Sequence, residues 1–136
     1  MKPWVEMRRK ATLGEINDRP VRDYFGNPID RSGFVYLAGP VELEAVKTTA
    51  LRVKIGRTAN PPKRLESLRR DSPVPVEFKC LFFVRDCCRL ETILHRRYSS
   101  HRLHGEWFDL PFDEVWDLYD ELGDLVPSSF HEAVEA

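Results

Sequence analysis

The sequence predicts an α+β fold, a small, mostly antiparallel three-stranded sheet flanked by helices. Three observations lead there. Segments 33–39, 50–56 and 76–84 are short, rich in β-branched and aromatic residues, and bounded by Gly or Pro. Helical patterns with recognisable N-caps follow the second and third of them. The chain has 136 residues, 42% hydrophobic and 32% charged, which suits one domain with a real core. It holds no internal repeat and no low-complexity segment.

Residues 1–31 read as an N-terminal extension, with few periodic apolar positions and turn formers at Asn17-Asp18 and Gly26-Asn27-Pro28. It holds at most a short helix over 5–15, and Arg8, Arg9 and Lys10 belong to a solvated arm or touch a partner. The folded domain spans 32–122, and 123–136 is an acidic C-terminal tail. Within the domain, strand 33–39 leads through a polar link, 40–49, to strand 50–56. Asn60 then caps a helix over 61–70, with Pro61 and Pro62 in a first turn that needs no donor. That helix is expected to bury Leu65 and Leu68, and the run from Asp71 to Pro75 stops it. Strand 76–84 is the most apolar and is therefore expected at the centre of the sheet. Asp86 caps a helix from 87 to about 100, with Leu90, Ile93, Leu94, Arg97 and Tyr98 on its inward stripe. Residues 102–104 read as loop and 107–110 as a short extended aromatic run. A last helix spans 111–122, with Asp113 and Glu114 in its first turn and Gly123 closing it.

Composition narrows the class of function. No apolar run approaches the roughly 20 residues of a membrane span, and the N-terminal stretch lacks the apolar core of a secretory signal. Cys80, Cys87 and Cys88 are odd in number and two are adjacent, which fits a reducing, cytoplasmic setting. Without a Cys-x-x-Cys pair, zinc is not expected. Net charge is only −1, yet residues 52–102 carry 13 Lys and Arg against 5 Asp and Glu, a local net of +8. From Glu106 onward there are 10 acids and no Lys or Arg. A basic middle suits a polyanion. The acidic end is either a solvated face or a mask over the basic surface.

The basic middle is densest across 53–64, which reads as strand end, glycine turn and helix start. Lys54, Arg57, Lys63 and Arg64 lie along it, beside the free N–H groups of a helix N-terminus. Such a turn accommodates a phosphate. A merely solvated basic helix start is the plainer reading.

On these residues the sequence resembles the GIY-YIG nuclease superfamily. Gly33-Phe34-Val35-Tyr36 stands for the first tripeptide, with Tyr36 as its tyrosine. Lys54-Ile55-Gly56 stands for the second, its tyrosine replaced by lysine, and with Arg57-Thr58 it is similar to a phage and bacterial branch. Arg64 falls at the family's helix arginine, eight residues past Gly56, and Glu91 at its metal-binding glutamate. Glu91-Thr92-Ile93-Leu94-His95 and Gly105-Glu106-Trp107-Phe108 complete the set, which covers roughly 32–112.

The resemblance implies hydrolysis of DNA phosphodiester bonds with one divalent cation, Mg²⁺ or Mn²⁺. It makes Glu91 the metal ligand, with water and phosphate as the other ligands. Arg64 would hold a non-bridging oxygen. Tyr36 would act on the attacking water as base or positioner, its pKa lowered from near ~10 by neighbouring cations. Lys54 would act electrostatically, since an ammonium only donates. His95, one turn from Glu91, would transfer a proton or orient water, or is a half-buried helix histidine. Arg57, Lys63, Arg69 and Arg70 would contact DNA phosphates, and Glu106 would anchor Arg57 or Arg64. Weak intrinsic sequence preference, or a targeting protein partner, is expected. The rival expectations are an inactive nucleic-acid-binding module on the same fold, and a regulatory domain that uses the acidic end.

Overall fold

In the computed structural model, residues 20–41 and 50–123 are described. The expected helix over 5–15, the arm cations Arg8, Arg9 and Lys10, link residues 42–49 and the tail beyond 123 lie outside them. The strands are β1 (Gly33–Pro40), β2 (Ala50–Thr58), β3 (Val76–Val84), β4 (Arg102–His104) and β5 (Trp107–Pro111). The helices are α1 (Pro61–Asp71), α2 (Cys87–Arg97) and α3 (Phe112–Leu122). A 3-10 turn, Ser99–His101, links α2 to β4.

The sheet has five strands in the order β3-β1-β2-β5-β4, and every neighbouring pair is antiparallel. This corrects the expected three-stranded sheet. The aromatic run at Trp107 pairs with β2, and residues 102–104, read as loop, form a short outer strand beside it. Both segments are too short to announce themselves by period; their pairing partners make them strands. The apolar β3 is an edge strand rather than the centre. Its apolarity reflects packing on both faces. Cys80, Phe82 and Val84 enter the core, while Val76 and Phe78 pack on the opposite face, where Phe83 stays exposed.

Alternation along β1 and β2 separates the two faces. Val35 and Leu37, with Leu51, Val53 and Ile55, join Leu90, Leu94 and Tyr98 of the α2 segment and Val115 and Leu118 of α3 in one buried cluster. Phe108 and Leu110 extend it across β5. Arg97, expected inward, is exposed and faces Glu121 at 3.9 Å, because Tyr98 fills that side of the helix end. A register shift between Leu37 and Ala38 leaves Lys79 bulged out of the β1–β3 ladder, its ammonium buried against Glu77 at 2.7 Å.

The other face carries α1. Asn60 accepts from the Lys63 backbone N–H at 3.2 Å, and both prolines occupy the first turn. Asp86 caps α2 in the same way, accepting from Arg89 N at 3.0 Å. Gly123 ends α3 with φ +70° and donates to Tyr119 O. No residue of α1 is fully buried, and Leu65 and Leu68 are only half covered. This helix therefore leans on the sheet and leaves a cleft open beside it.

Candidate active site

The site forms where the partner of β2 changes. β5 pairs with β2 from Ala50 to Lys54 and stops. Beyond that point the Ile55 N–H donates to Glu106 O at 3.0 Å, and the Ile55 carbonyl meets His95 Nε2 at 2.9 Å. The last third of β2 thus has β1 on one side and side chains of α2 on the other. Residues of α2, which packs on the core face, reach the edge of β2 through this gap.

Tyr36 sits opposite Gly56 in the β1–β2 register. Its ring lies so close over Gly56 that an added Cβ would fall 2.5 Å from Cζ. Phe78 flanks the ring at 5.2 Å between centroids, and the residue is only 1% exposed. Arg64 Nε donates to the phenol oxygen at 3.0 Å from the start of α1. The glycine of Lys54-Ile55-Gly56 is therefore a steric requirement: the phenol crosses β2 through the space its missing side chain leaves.

The Tyr36 phenol is pushed above its ordinary value, chiefly by burial. The Arg64 hydrogen bond and charge pull it down, and the Glu106 and Glu91 carboxylates push it up. This corrects the expectation that cations would win. The buried ring outweighs Arg64, and the phenol stays protonated at neutral pH.

Glu91 projects from α2, its side chain 15% exposed, with Arg57 Nη1 at 3.7 Å. Burial pushes its carboxyl above its ordinary value, Arg57 pulls it back, and the Glu106 carboxylate adds to the rise. Lys54 faces Glu106 at 3.7 Å. Glu106 was expected to anchor Arg57 or Arg64; its ion pair is with Lys54, because Trp107 is the register partner of Lys54 and brings its neighbour alongside.

His95 is held at both ring nitrogens. Ile55 O can only accept, so Nε2 carries the proton; Arg102 Nη2 at 3.3 Å can only donate, so Nδ1 accepts. That fixes one neutral tautomer and gives His95 a tethering duty that the sequence did not reveal. Its partner Arg102 was likewise missed, since nothing in a three-residue outer strand marks it.

The expected phosphate cations divide. Lys63 is exposed in the first turn of α1, near Arg64. Arg69 spends Nε on Val76 O at 3.1 Å, and Arg70 is exposed one and a half turns past Arg64, about 9 Å along the helix. The structure therefore gathers Tyr36, Lys54, Arg57, Arg64, Glu91, His95 and Glu106, and leaves Arg69 and Arg70 at the far end of α1.

Among the described residues no three His, Cys, Asp or Glu side chains converge in a metal cage. Glu91 is a half-buried carboxylate beside Arg57. That donor set suits a hard cation that keeps several waters and takes the rest of its ligands from phosphate. No helix among the described residues is long and apolar enough to cross a membrane. No disulfide joins Cys80, Cys87 or Cys88.

No curated protein matches the chain, and no solved structure does. Residues 33–123, which span β1 to the end of α3, match the family described as T5orf172 domain. The match is compatible with action on nucleic acid and carries no catalytic detail. It covers well over half of the sequence, and the chain belongs to the T5orf172 domain family.

Proposed function

We propose that this protein is a metal-dependent endonuclease that hydrolyses DNA phosphodiester bonds by chemistry of the GIY-YIG type. The kinship with that superfamily rests on the residues themselves, since the family match is to another family. The observation that carries the reading is Arg64 donating to a buried Tyr36 across Gly56, with Glu91 facing Arg57, the residue that follows Gly56 on the same strand. Three segments far apart in sequence supply the pieces in one small volume.

Cleavage needs an oriented nucleophile, charge neutralised at phosphorus and a stabilised leaving oxygen. Arg64 spends Nε on Tyr36 and keeps its terminal N–H groups for a non-bridging oxygen. Protonated Tyr36 accepts from Arg64 and offers its own O–H, which suits a positioner of water more than a base. Lys54 and Arg57 flank the cleft as donors and add positive charge. His95 orients the end of β2 rather than moving protons, because both of its nitrogens are engaged. A divalent cation would be held by Glu91 and would supply Lewis-acid neutralisation of the phosphate.

One observation favours a second reading, an inactive binding module: Lys54 replaces the second tyrosine. Plasmid cleavage with Mg²⁺ or Mn²⁺ separates the two. Wild type should nick or linearise, while folded Glu91→Ala and Arg64→Ala should not. Salt-sensitive binding without cleavage by any of the three would establish the binding module instead.

A further inference from the structure

Beside the catalytic face lies a cavity of about 300 Å³ that the phosphate chemistry does not use. Ala38, Lys54 and Trp107 are successive cross-strand neighbours on β1, β2 and β5, so their side chains share the open face. Ala38 is only 3% exposed and leaves a shallow floor. Leu68 and Asp71 of α1 and Pro73 also line it.

We infer that this cavity receives one unpaired nucleobase of the substrate strand, next to the phosphate to be cut. The inference rests on the nuclease reading and extends it to substrate form. Four features favour a base over another occupant. The volume is large enough for a purine or a pyrimidine and too small for a folded partner's side-chain cluster. Trp107 offers an aromatic face, on which any base can stack. Lys54 lines the cavity and lies on the same face of the β1–β2 ladder as the Tyr36–Arg64 contact, so an occupant joined to a phosphate held there satisfies both places at once. Asp71, an acceptor, matches the amino groups on the edges of adenine, cytosine and guanine. A base inside a duplex is stacked on both faces and cannot enter without being flipped out, which costs a few kcal/mol. Single-stranded, bulged or branched DNA offers such a base at no such cost.

The test measures fluorescence anisotropy of a labelled 12-nucleotide single strand and of its blunt duplex, at matched low salt, with Ca²⁺ in place of Mg²⁺. Wild type should bind the single strand at least tenfold tighter than the duplex. Trp107→Ala should lower single-strand affinity roughly fivefold to a hundredfold, the range for one lost stacking contact, and bring the ratio of the two affinities toward one. Trp107→Phe should retain most of the preference, and Ala38→Val, which raises the cavity floor in a residue suited to a strand, should reduce it without removing the indole. Equal affinity of wild type for both forms, or equal losses on both in Trp107→Ala, would overturn the base pocket and leave the nuclease reading standing. Absence of salt-sensitive binding to either form would overturn both.

Discussion

Adding a single methyl group at Gly56 should disable the site from behind. The Cβ of Gly56→Ala would lie 2.5 Å from Tyr36 Cζ, where carbon atoms rest at about 3.5–4 Å. The phenol must retreat by about 1 Å, and Phe78 and the sheet leave a residue 1% exposed little room. Overpacking of this kind costs about 1–3 kcal/mol. The same movement stretches the Arg64–Tyr36 contact from 3.0 Å to beyond hydrogen-bond reach. A misplacement of about 1 Å at a catalytic group lowers the rate on the order of 100-fold. The sign is informative, because Gly56 has no positive φ and Ala is otherwise the better strand residue by roughly 0.5–1 kcal/mol. Urea unfolding measures the cost, and plasmid nicking measures the rate. Repeating Gly56→Ala in a Tyr36→Ala background isolates the clash, since the penalty should largely disappear once the ring is gone. A Gly56→Ala protein as stable as wild type, or one whose penalty is the same in both backgrounds, would refute the steric account of the tripeptide.

Glu91→Gln should abolish cleavage yet leave the urea midpoint unchanged or higher. The folded protein holds the Glu91 carboxyl above its ordinary value, so the stability it contributes is full below the unfolded pKa and is lost as pH rises through the folded one. A clear drop in midpoint at pH 7 would instead make Glu91 a structural residue. Tyr98 should dominate the alkaline limb of stability: its buried hydroxyl has no hydrogen-bond partner among the described residues, and burial pushes it from 10.0 to about 12. Stability tied to it is present below about pH 10 and is lost as pH rises toward 12. Tyr98→Phe should flatten that loss and be neutral or mildly stabilising at pH 7, by up to about 1 kcal/mol. An unaltered alkaline limb in a pH series of urea melts would contradict this. For His95, a variant that still donates to Ile55 O should keep most activity. Leu in that place should cost about 1–3 kcal/mol of stability through the stranded carbonyl, together with cleavage. Equal inactivity of a stably folded His95→Gln would restore a proton-transfer role.

Local signals in the sequence were read well where local chemistry decides the structure. The caps at Asn60 and Asp86 and the glycine stop at Gly123 depend on residues within one turn, and they stand where their side-chain chemistry put them. The number of strands did not follow from local pattern. β4 has only three residues, all exposed, and is a strand because β5 lies beside it. The apolar run of β3 suggested a central position, yet a strand packed on both faces has the same composition at an edge. Most of the site residues were legible through the resemblance, whereas their mutual partners were not. That Glu106 meets Lys54 and that His95 tethers Ile55 depend on the ending of β5 at Trp107, and burial outweighs Arg64 at Tyr36 because Gly56 and Phe78 close over the ring.

That ending also explains the kind of charge the site holds. Away from it, Arg52 and Asp109 meet within the β2–β5 ladder at 2.9 Å and 3.1 Å through two donors, a closed fork that depresses the Asp109 carboxyl. At the site, Lys54–Glu106 and Arg57–Glu91 each stand at 3.7 Å, too long for a hydrogen bond. The same residue types are thus locked where the ladder continues and only loosely matched where it stops. Loose pairs keep donors and acceptors free to take a new partner at little enthalpic loss. On the proposed nuclease reading, a phosphate would draw Lys54, Arg57 and Arg64 while Glu91 and Glu106 turned to a cation or to water, so one arrangement would keep an empty cleft near electrical balance and a filled one satisfied. Where β5 stops therefore sets which ion pairs are closed into the ladder and which stay loose enough to take a new partner.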